Sequence, residues 1–284
     1  MTWYKLLFKQ NQPIHIGSLN WGVINQTLIF IPGWTMCGAL TKAYNIHKKQ
    51  SFSENQKLFQ TITCFYPTFD KNGNNILFPN YKNGVFSLGD FSEDKFRYTF
   101  TDTFVSTAIL SESRGAKEES LHEIEILLPK EKEEGGELYW IGLLGIDHDN
   151  VSNDFLKEGL KIYIGGDTRY GLGELELLLK NEVSNDDLKK WQITEDAILN
   201  NSSLNEELKN FLEFSTDLKF HGEFILHSEF SFLKNEPQVK EATYLIIPGS
   251  KLDGNLNSTS YRLIKGKFIR GCSKTGENYV YKQG

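Results

Sequence analysis

The sequence predicts an α+β protein in which strands outnumber helices. Aromatic residues make up 13% of its 284 residues, and aromatic side chains favour strands. One long segment, residues 35–48, has the apolar spacing of an amphipathic helix that directly follows a strand. Residues 181–216 then change to an acidic and helical composition, which separates a large first part from a small β-rich second part.

The composition is that of an ordinary globular protein, with 39% hydrophobic and 24% charged residues. The sequence contains no apolar run long enough for a membrane span, and its first nine residues lack the apolar core of a signal peptide. Three widely spaced cysteines are typical of reduced thiols rather than of a disulfide framework or a zinc site; they are Cys37, Cys64 and Cys272. We therefore expect a cytoplasmic protein with no membrane partner, no metal and no cofactor.

Positive charge is concentrated at the two ends of the chain. Residues 1–50 contain five lysines and no acidic residue, so their net charge is +5. Residues 261–284 also carry +5, and because the whole chain carries −6, residues 51–260 carry −16. This separation predicts that the two ends hold a polyanion while the middle faces elsewhere, although chance segregation of surface charge gives the same pattern.

The first elements are a strand and a loop that contains a histidine. Thr2–Lys9 has bulky side chains on both alternating faces, which predicts a strand. Gln10–Thr27 is rich in turn residues and predicts a loop. Histidine side chains titrate near neutral pH, so His15 in this loop could act as a general acid or base. The favoured interpretation is a histidine that only hydrogen-bonds the loop, because no carboxylate lies near it in sequence.

A tight turn precedes the long helix. The apolar stretch before it ends at Pro32 and Gly33, and the spacing predicts a helix from about Thr35 to Lys48. The unpaired N–H groups and the dipole at a helix start attract phosphate, so this end is a candidate anion site. The buried face of the helix is predicted to consist of Met36, Ala39, Leu40, Ala43 and Tyr44.

The middle of the first part predicts short strands, long loops and one projecting hairpin. The hairpin consists of a strand near Thr103–Ala108, a polar loop that contains Arg114, and a returning strand over Leu121–Leu128. An exposed hairpin without a partner is the alternative interpretation. Leu138–Ile146 is an apolar segment interrupted by two glycines.

A glycine-rich loop joins two strands near the end of the first part. After a short predicted helix over Asn153–Gly159, strands are predicted over Lys161–Ile164 and Glu174–Leu179. Between them, Arg169 offers a fork to a phosphate and Tyr170 offers a stacking face. No helix follows, which argues against a dinucleotide fingerprint or a P-loop, and a simple hairpin turn stays an alternative. The glycines that allow the main chain to approach a ligand closely are Gly165, Gly166, Gly171 and Gly173.

The second part is predicted to consist of a helical connector and a small β-rich unit. Ser184 and Ser203 are candidate N-caps within the connector, which marks a domain boundary. Strands are then predicted near Phe220–Phe232, Ala242–Ile247, Tyr261–Arg270 and Asn278–Lys282. The predicted domains are residues 1–180, 181–216 and 217–284.

Four of these segments, in this order, resemble the RAMP superfamily of CRISPR-associated proteins. Its members show a Pro-x-His-x-Gly loop, an Ile-Pro-Gly turn before a Gly-Ala-Leu helix, a Ser-Thr-Ala hairpin and a Gly-Gly-x-x-x-x-Gly-x-Gly loop. The matching segments are Pro13–Gly17, Ile31–Leu40, Val105–Glu125 and Gly165–Gly173. The resemblance covers about residues 1–180 and assigns no motif to the rest of the chain.

The resemblance implies a ferredoxin-like (RRM-like) RAMP domain that holds CRISPR RNA, with a degenerate RRM-like domain as one interpretation of the β-rich unit. In this family the glycine-rich loop and the start of the first helix hold the RNA backbone, and the hairpin often acts as a thumb that interrupts the guide–target duplex. Main-chain donors, a basic first segment and aromatic faces also suit single-stranded RNA. The residues predicted to contact RNA are His15, Gly17, Gly33, Trp34, Thr35, Lys42, Arg114, Gly165, Gly166, Arg169, Tyr170, Gly171, Gly173, Lys267 and Arg270.

Target-cleaving members of the family carry an aspartate shortly before the Ile-Pro-Gly turn, where this chain has Asn25. An amide neither takes up a proton nor holds a metal as a carboxylate does, so we expect no target cleavage by this loop. The resemblance therefore predicts a non-catalytic CRISPR RNA-binding subunit of a type III effector complex in antiviral defence, placed in one version of the hypothesis at an end of the guide. Its expected partners are CRISPR RNA, target RNA through the guide, and other effector subunits. The alternatives are a guide-processing ribonuclease that uses His15 and a module that binds only protein.

Overall fold

Strands form most of the regular structure. The computed structural model describes residues 1–51, 54–147, 155–200, 206–231, 236–253 and 259–271. The strands are β1 (Thr2–Gln10), β2 (Gly17–Trp21), β3 (Ile24–Thr27), β4 (Tyr66–Thr68), β5 (Pro79–Lys82), β6 (Val85–Leu88), β7 (Phe91–Ser92), β8 (Thr101–Ser106), β9 (His122–Leu127), β10 (Tyr139–Ile146), β11 (Lys161–Tyr163), β12 (Glu174–Glu182), β13 (Phe211–Glu213), β14 (Phe220–His221), β15 (Phe224–Ser231), β16 (Gln238–Ile246), β17 (Lys251–Leu252), β18 (Tyr261–Ile264) and β19 (Lys267–Arg270). The helices are α1 (Gly33–Lys48), α2 (Glu93–Phe100) and α3 (Asn185–Lys190).

The first part is built on a five-stranded antiparallel sheet with the strand order β11-β12-β1-β10-β4. The chain passes through β1, α1, β4, β10 and β12, and β1 and β10 lie in the sheet between β12 and β4, which is the strand order of a ferredoxin-like fold. The predicted α+β, ferredoxin-like fold class is therefore confirmed. Strand β1 is central because both of its faces are buried: Leu6 and Phe8 lie in the main core, and Leu7 contacts Ile141 on the other face.

Helix α1 covers the main-core face of this sheet. It begins at Gly33, two residues before the predicted start, directly after Pro32 in an extended conformation. Met36 and Leu40 are fully buried among the core residues that include Leu6 and Phe8, as the predicted apolar face requires. The helix ends at Lys48, because Lys49 adopts the left-handed conformation that closes many helices.

Two hairpins combine into a separate four-stranded sheet with the order β2-β3-β9-β8. The predicted projecting hairpin is confirmed as β8 and β9, which pair antiparallel over their whole length. The segment predicted as a turn-rich loop instead contains the hairpin β2–β3, because Gly22 adopts a positive φ of 61° and closes a tight turn. Strand β3 then pairs parallel to β9 through Ile24 and Asn25.

Helix α2 was not among the predicted elements. Ser92 caps its first turn by accepting a hydrogen bond from the Lys95 N–H at 3.4 Å. Phe96 and Phe100 lie one turn apart and are both buried. The turn-rich composition around this short helix masked its two-residue apolar pattern.

The predicted helical connector is not helical over most of its described length. Ser184 does form the predicted N-cap, but the helix that it starts, α3, ends after six residues. Gln192 and Ala197 then adopt positive φ angles of 60° and 61°, which no continuous helix allows. The reason is that this segment enters the core as an irregular chain: its buried residues include Trp191, Ile193, Leu199 and Leu208.

The second part contains a five-stranded sheet with the order β15-β16-β13-β19-β18, in which only β13 and β19 are parallel. It joins the first part through one hydrophobic core that extends from Trp3 to Phe268. The Tyr66 hydroxyl donates to the Lys209 carbonyl at 2.7 Å, and the Gly266 N–H donates to the Ile62 carbonyl at 2.7 Å. The division at residues 180 and 216 stays a prediction, while the core itself is continuous.

Several sequence predictions fall wholly or partly outside the described residues. They concern Cys272, the Ser203 cap, the start of the Asn153–Gly159 helix and the strand over Asn278–Lys282; the described residues 155–159 form turns. Cys37 and Cys64 are both buried, and burial raises the pKa of the Cys64 thiol to about 12, so it stays protonated. None of the helices in the described ranges is long and apolar enough to cross a bilayer.

The close contact between the start of α1 and the β18–β19 turn predicts that glycine-to-alanine substitutions at Gly33 and Gly38 change the stability in opposite directions. A Cβ added to Gly33 would lie 2.5 Å from the Gly266 nitrogen, whereas a Cβ on Gly38 in the same helix meets nothing within 4 Å. We expect Gly33→Ala to lower the free energy of unfolding by about 1–3 kcal/mol through overpacking. The matched control Gly38→Ala should raise it by about 0.5–1 kcal/mol, because alanine favours a helix interior. Urea denaturation measures both, and equal effects would contradict the close approach.

Candidate nucleic-acid interface

Two of the four motif segments are joined by main-chain hydrogen bonds. We call Pro13–Gly17 the histidine loop and Gly165–Gly173 the glycine loop. The Gly166 N–H donates to the His15 carbonyl at 2.9 Å, and the Gly173 N–H donates to the Pro13 carbonyl at 2.8 Å. The two loops, more than 140 residues apart in sequence, therefore form one surface.

Glycine is required at two positions of this contact. Gly165 has a φ of 73°, and a Cβ there would overlap the His15 carbonyl oxygen. Gly173 has a φ of 95°, and a Cβ there would overlap the Ile164 carbonyl oxygen. Both residues combine a left-handed conformation with a close approach of main chain to main chain, which no other residue type accommodates without strain. Gly171 also has a positive φ, of 82°, but faces open space.

His15 lies under the glycine loop and is only 7% exposed. Its Nδ1 lies 2.8 Å from the Glu125 carbonyl oxygen. Because a carbonyl only accepts, Nδ1 carries a proton, and Nε2 is an acceptor when the ring is neutral. The ring lies close to Gly17 and Gly166, where an added Cβ would be 3.9 and 3.6 Å from it. The side chain thus connects the histidine loop to β9.

The hairpin β8–β9, which we call the thumb hairpin, lies against both loops. Ile14 and Leu127 exchange two main-chain hydrogen bonds, of 2.9 and 2.7 Å. From the glycine loop, Leu172 is buried against Ile124 and Ile126 of β9. Three of the four motif segments therefore meet at one place, as the resemblance to RAMP proteins implies.

An ion pair holds the base of the thumb hairpin. The Arg97 guanidinium donates to the Glu125 carboxylate at 2.7 Å and to the Thr27 carbonyl at 3.0 Å. Glu125 also accepts from the Thr27 N–H at 3.0 Å, and Arg97 bonds Glu93 at 2.6 Å. The Arg97 and Glu125 side chains are only 15% and 14% exposed. Removal of Arg97 would leave the Glu125 carboxylate buried without its ion-pair partner, whereas Arg97 keeps Glu93 when Glu125 is removed.

A groove of about 560 Å³ lies between α1 and the segment that ends with β11. Its floor is apolar, with Ala39 and Ile162, and its rim includes the exposed Lys42. Lys161 on the rim bonds Glu174 at 2.9 Å. That hydrogen bond lowers the pKa of Glu174 and raises the pKa of Lys161, so the pair stays ionised and neutral in sum.

The start of α1 does not lie on an open surface, which corrects the prediction that Gly33 faces an anion. Gly33 is buried against the main chain of Lys265 and Gly266. Trp34 is half-buried, with ring centroids 4.7 Å from Phe211 and 4.3 Å from His227. The half-buried Thr35 donates its N–H to the Pro32 carbonyl. The second part of the chain covers this end of the helix, which no local pattern indicated.

The predicted basic surface near the C-terminus is largely neutralised in the structure. Lys267 is only 5% exposed, and its ammonium bonds Glu229 at 3.0 Å. Arg270 is exposed but lies 3.5 Å from the Asp217 carboxylate. Arg114 is exposed at the far end of the thumb hairpin, with a φ of 53°. Of the predicted cations, Arg169 alone extends from the glycine loop, and it is exposed.

Asn25 lies on β3, where its Nδ2 is 3.5 Å from the Glu123 carbonyl oxygen. The side chain is half-buried at the edge of the surface formed by the two loops. Within the described ranges, no group of three or more His, Cys, Asp or Glu side chains is arranged to hold a metal ion.

The two loops and the thumb hairpin thus form one surface on a protein with a ferredoxin-like fold. No protein-family profile and no curated protein sequence matches the chain. Solved structures do: a chain in the cryo-EM structure of the type III-B Cmr-beta bound to cognate target RNA and AMPPnP superposes with a TM-score of 0.60 at 15% identity, over 87% of this chain and 85% of that chain. A chain in the Cmr-beta structure bound to cognate target RNA gives a TM-score of 0.59 at 15% identity, over 87% and 86%. The chain has the fold of these type III-B complex components.

Sequence reasoning missed three contributors to this surface. Phe104 and Leu172 are the apolar residues through which the thumb hairpin and the glycine loop face each other. The third contributor is the Arg97–Glu125 ion pair. The sequence signal for this contact was weak: it consisted of one aromatic residue, Phe104, in the strand Thr101–Ser106.

A matched pair of substitutions tests the contact between the two loops. Gly165→Ala and Gly171→Ala both place alanine at a positive φ, which costs about 1–2 kcal/mol. Only Gly165→Ala also forces a Cβ onto the His15 carbonyl, for roughly a further 1–3 kcal/mol. Urea unfolding should rank Gly165→Ala as the less stable variant, with faster amide exchange over residues 13–17. If both variants unfold alike, the loops do not touch as described.

The lowered pKa of the buried His227 predicts that the protein loses stability in mild acid. Burial, followed by the charge of Lys267, lowers its pKa from 6.5 to about 4, although Glu229 acts in the opposite direction. Between these two values the unfolded chain binds a proton that the folded chain excludes, so stability falls as the pH drops from 6.5 towards 4. The free energy of unfolding should decrease less between pH 7 and pH 5 in His227→Gln than in the parent. His47→Gln, at an exposed histidine of α1, is the control, and an unchanged pH dependence in His227→Gln would refute the assignment.

Proposed function

We propose that this protein is a non-catalytic RNA-binding subunit of a type III CRISPR effector complex. In this proposal it grips the backbone of the guide RNA with the glycine loop, the histidine loop and the thumb hairpin. The observation that carries the proposal is the convergence of these three segments on one exposed surface. The fold shared with chains of RNA-bound type III-B assemblies supports it independently.

The glycine loop offers the groups that a phosphate backbone needs. Within the described ranges, the N–H groups of Asp167, Thr168 and Arg169 donate no hydrogen bond to the protein. The Arg169 side chain is exposed next to them, and Tyr170 is 71% exposed. Main-chain donors, one guanidinium and one aromatic face together bind a nucleotide chain without reading its sequence. In this proposal Lys42, on the rim of the groove beside α1, is a further phosphate contact for the RNA.

The non-catalytic part of the proposal is supported by Asn25, which places an amide where target-cleaving relatives carry a carboxylate. Cleavage by His15 is the second candidate function, and the acceptor Nε2 left by the Glu125 hydrogen bond favours it. Against it, His15 is buried, and its one hydrogen bond within the described ranges goes to the main chain. His15→Asn keeps a donor for the Glu125 carbonyl and removes the base.

The most direct test is expression with the neighbouring genes, followed by sequencing of the RNA that purifies with the complex. The proposal predicts that the bound RNA has a defined repeat-derived end and that the complex binds target RNA through this guide. It also predicts that other effector subunits co-purify and that the complex is cytoplasmic. The end of the guide at which this chain sits follows from that sequence. Cleavage of repeat RNA by the parent but not by His15→Asn would replace the proposal with the ribonuclease. Failure to bind any RNA at low salt would leave a protein-only module.

Arg169→Ala provides a quantitative prediction for the same site. Loss of one phosphate contact should weaken RNA binding across sequences and reduce the slope of log K against log salt by about 0.7, the value for one contact on a single strand. The fold should be unaffected because the side chain is exposed. Titration of labelled repeat RNA at several salt concentrations measures both quantities.

Lys240→Ala is the matched control, since it removes one positive charge from an exposed position on the distant strand β16. It should leave the affinity and the salt slope close to those of the parent. Parent-like binding by Arg169→Ala would mean that the glycine loop is only a turn.

A further inference from the structure

Two exposed aromatic rings face each other where the glycine loop meets the thumb hairpin. Tyr170, on the single 3₁₀ turn Thr168–Tyr170, is 71% exposed, and Phe104 of β8 is 39% exposed. Their ring centroids are 6.4 Å apart, and the ring planes are inclined by 40°. Neighbouring exposed aromatic side chains on a surface formed by three converging segments mark a candidate ligand contact.

Both rings are presented from fixed main chain. The Tyr170 N–H donates to the Asp167 carbonyl at 2.8 Å, and the next buried residue, Leu172, anchors the loop against β9. Phe104 pairs with Ile124 in the ladder between β8 and β9. The main chain that carries each ring therefore does not need to become ordered when a ligand binds, which reduces the entropic cost of binding.

The two rings are near enough to stack on opposite faces of one flat group once the Tyr170 side chain rotates. A nucleobase stacked between two parallel rings needs about 7 Å between them, twice the roughly 3.4 Å rise of stacked bases. The ring centroids are now 6.4 Å apart and the planes are inclined by 40°, so the rings lie beside each other and are not parallel. Rotation of the exposed Tyr170 side chain makes the rings parallel and opens a gap for a base without any movement of the main chain.

We propose that Tyr170 and Phe104 clamp a single unpaired nucleobase of the bound RNA. The inference rests on the proposed function, because it needs RNA on this surface, and it names the two side chains that hold a base rather than the backbone. Stacking accepts every base, so the clamp fixes the position of a nucleotide along the chain and not its identity.

The clamp itself acts through uncharged rings. Asp102 pairs with Ile126 in the same ladder as the pair of Phe104 and Ile124, so its carboxylate is on the face of the thumb hairpin that carries Phe104. Arg169 directly precedes Tyr170 and is the cation that the proposed function assigns to the RNA backbone. Because the rings carry no charge, their contribution to affinity is insensitive to salt.

The test uses the full chain in its co-expressed complex, loaded with synthetic guides that carry 2-aminopurine at successive positions. Stacking quenches this fluorescent base. We expect one guide position at which the parent quenches the probe and both Tyr170→Ala and Phe104→Ala restore its emission, while Tyr170→Phe, which keeps the ring, does not. Tyr98→Ala, at a tyrosine of α2 that is 72% exposed, is the control and should behave as the parent.

Affinity provides a second readout of the same clamp. Each single alanine variant should weaken binding about 5- to 100-fold, in line with measured base–aromatic stacking, at both low and high salt. The double variant should lose little more than one single variant, because a base needs both rings. Strong RNA binding with no position-specific quenching, or with Tyr170→Ala equal to Tyr98→Ala, would overturn the clamp while leaving the proposed function intact. A parent that binds no RNA would instead overturn the proposed function.

Discussion

The close approach of two main-chain segments determines the rest of this surface. Gly165 and Gly166 lie directly on the His15 carbonyl, and Gly173 bonds the Pro13 carbonyl. Only glycine permits this approach, because any side chain at Gly165 would occupy the space of the carbonyl oxygen. Once the two loops are joined, Leu172 is placed against β9, and Tyr170 extends towards the thumb hairpin. The geometry of the exposed groups thus follows from a contact that contains no charged side chain.

Net charge has a smaller part in this surface than the sequence indicates. Over the described residues, which end at 271, the two basic ends form no common cationic groove, since Lys267 is buried beside Glu229 and the start of α1 is covered by the β18–β19 turn. The groups exposed around the glycine loop include one guanidinium, two carboxylates, several main-chain donors and two aromatic rings. Such a surface suits a flexible single strand better than a rigid duplex, because the unpaired bases of a single strand are free to stack on aromatic side chains.

The sequence predicts those elements whose patterns are local. Strand β1, helix α1, the thumb hairpin and the two strands around the glycine loop follow from periodicity and turn residues. The ferredoxin-like fold class was implied by the resemblance of four motif segments to RAMP proteins. The burial of Lys267 and the irregular path through Trp191 and Ile193 depend instead on contacts between distant segments. Helix α2 has only Phe96 and Phe100 as its apolar pattern, which is too short to distinguish from a strand.

Ultraviolet cross-linking of the assembled complex to its own RNA, followed by mass spectrometry of the cross-linked peptides, tests RNA binding at this surface most directly. Aromatic rings in contact with bases cross-link efficiently, so peptides containing residues 101–106 and 165–173 should carry nucleotide adducts. Adducts confined to the second part of the chain, such as strands β15 and β16, would contradict an RNA grip by the glycine and histidine loops. A complex that carries RNA but gives no adduct on this chain would contradict it as well.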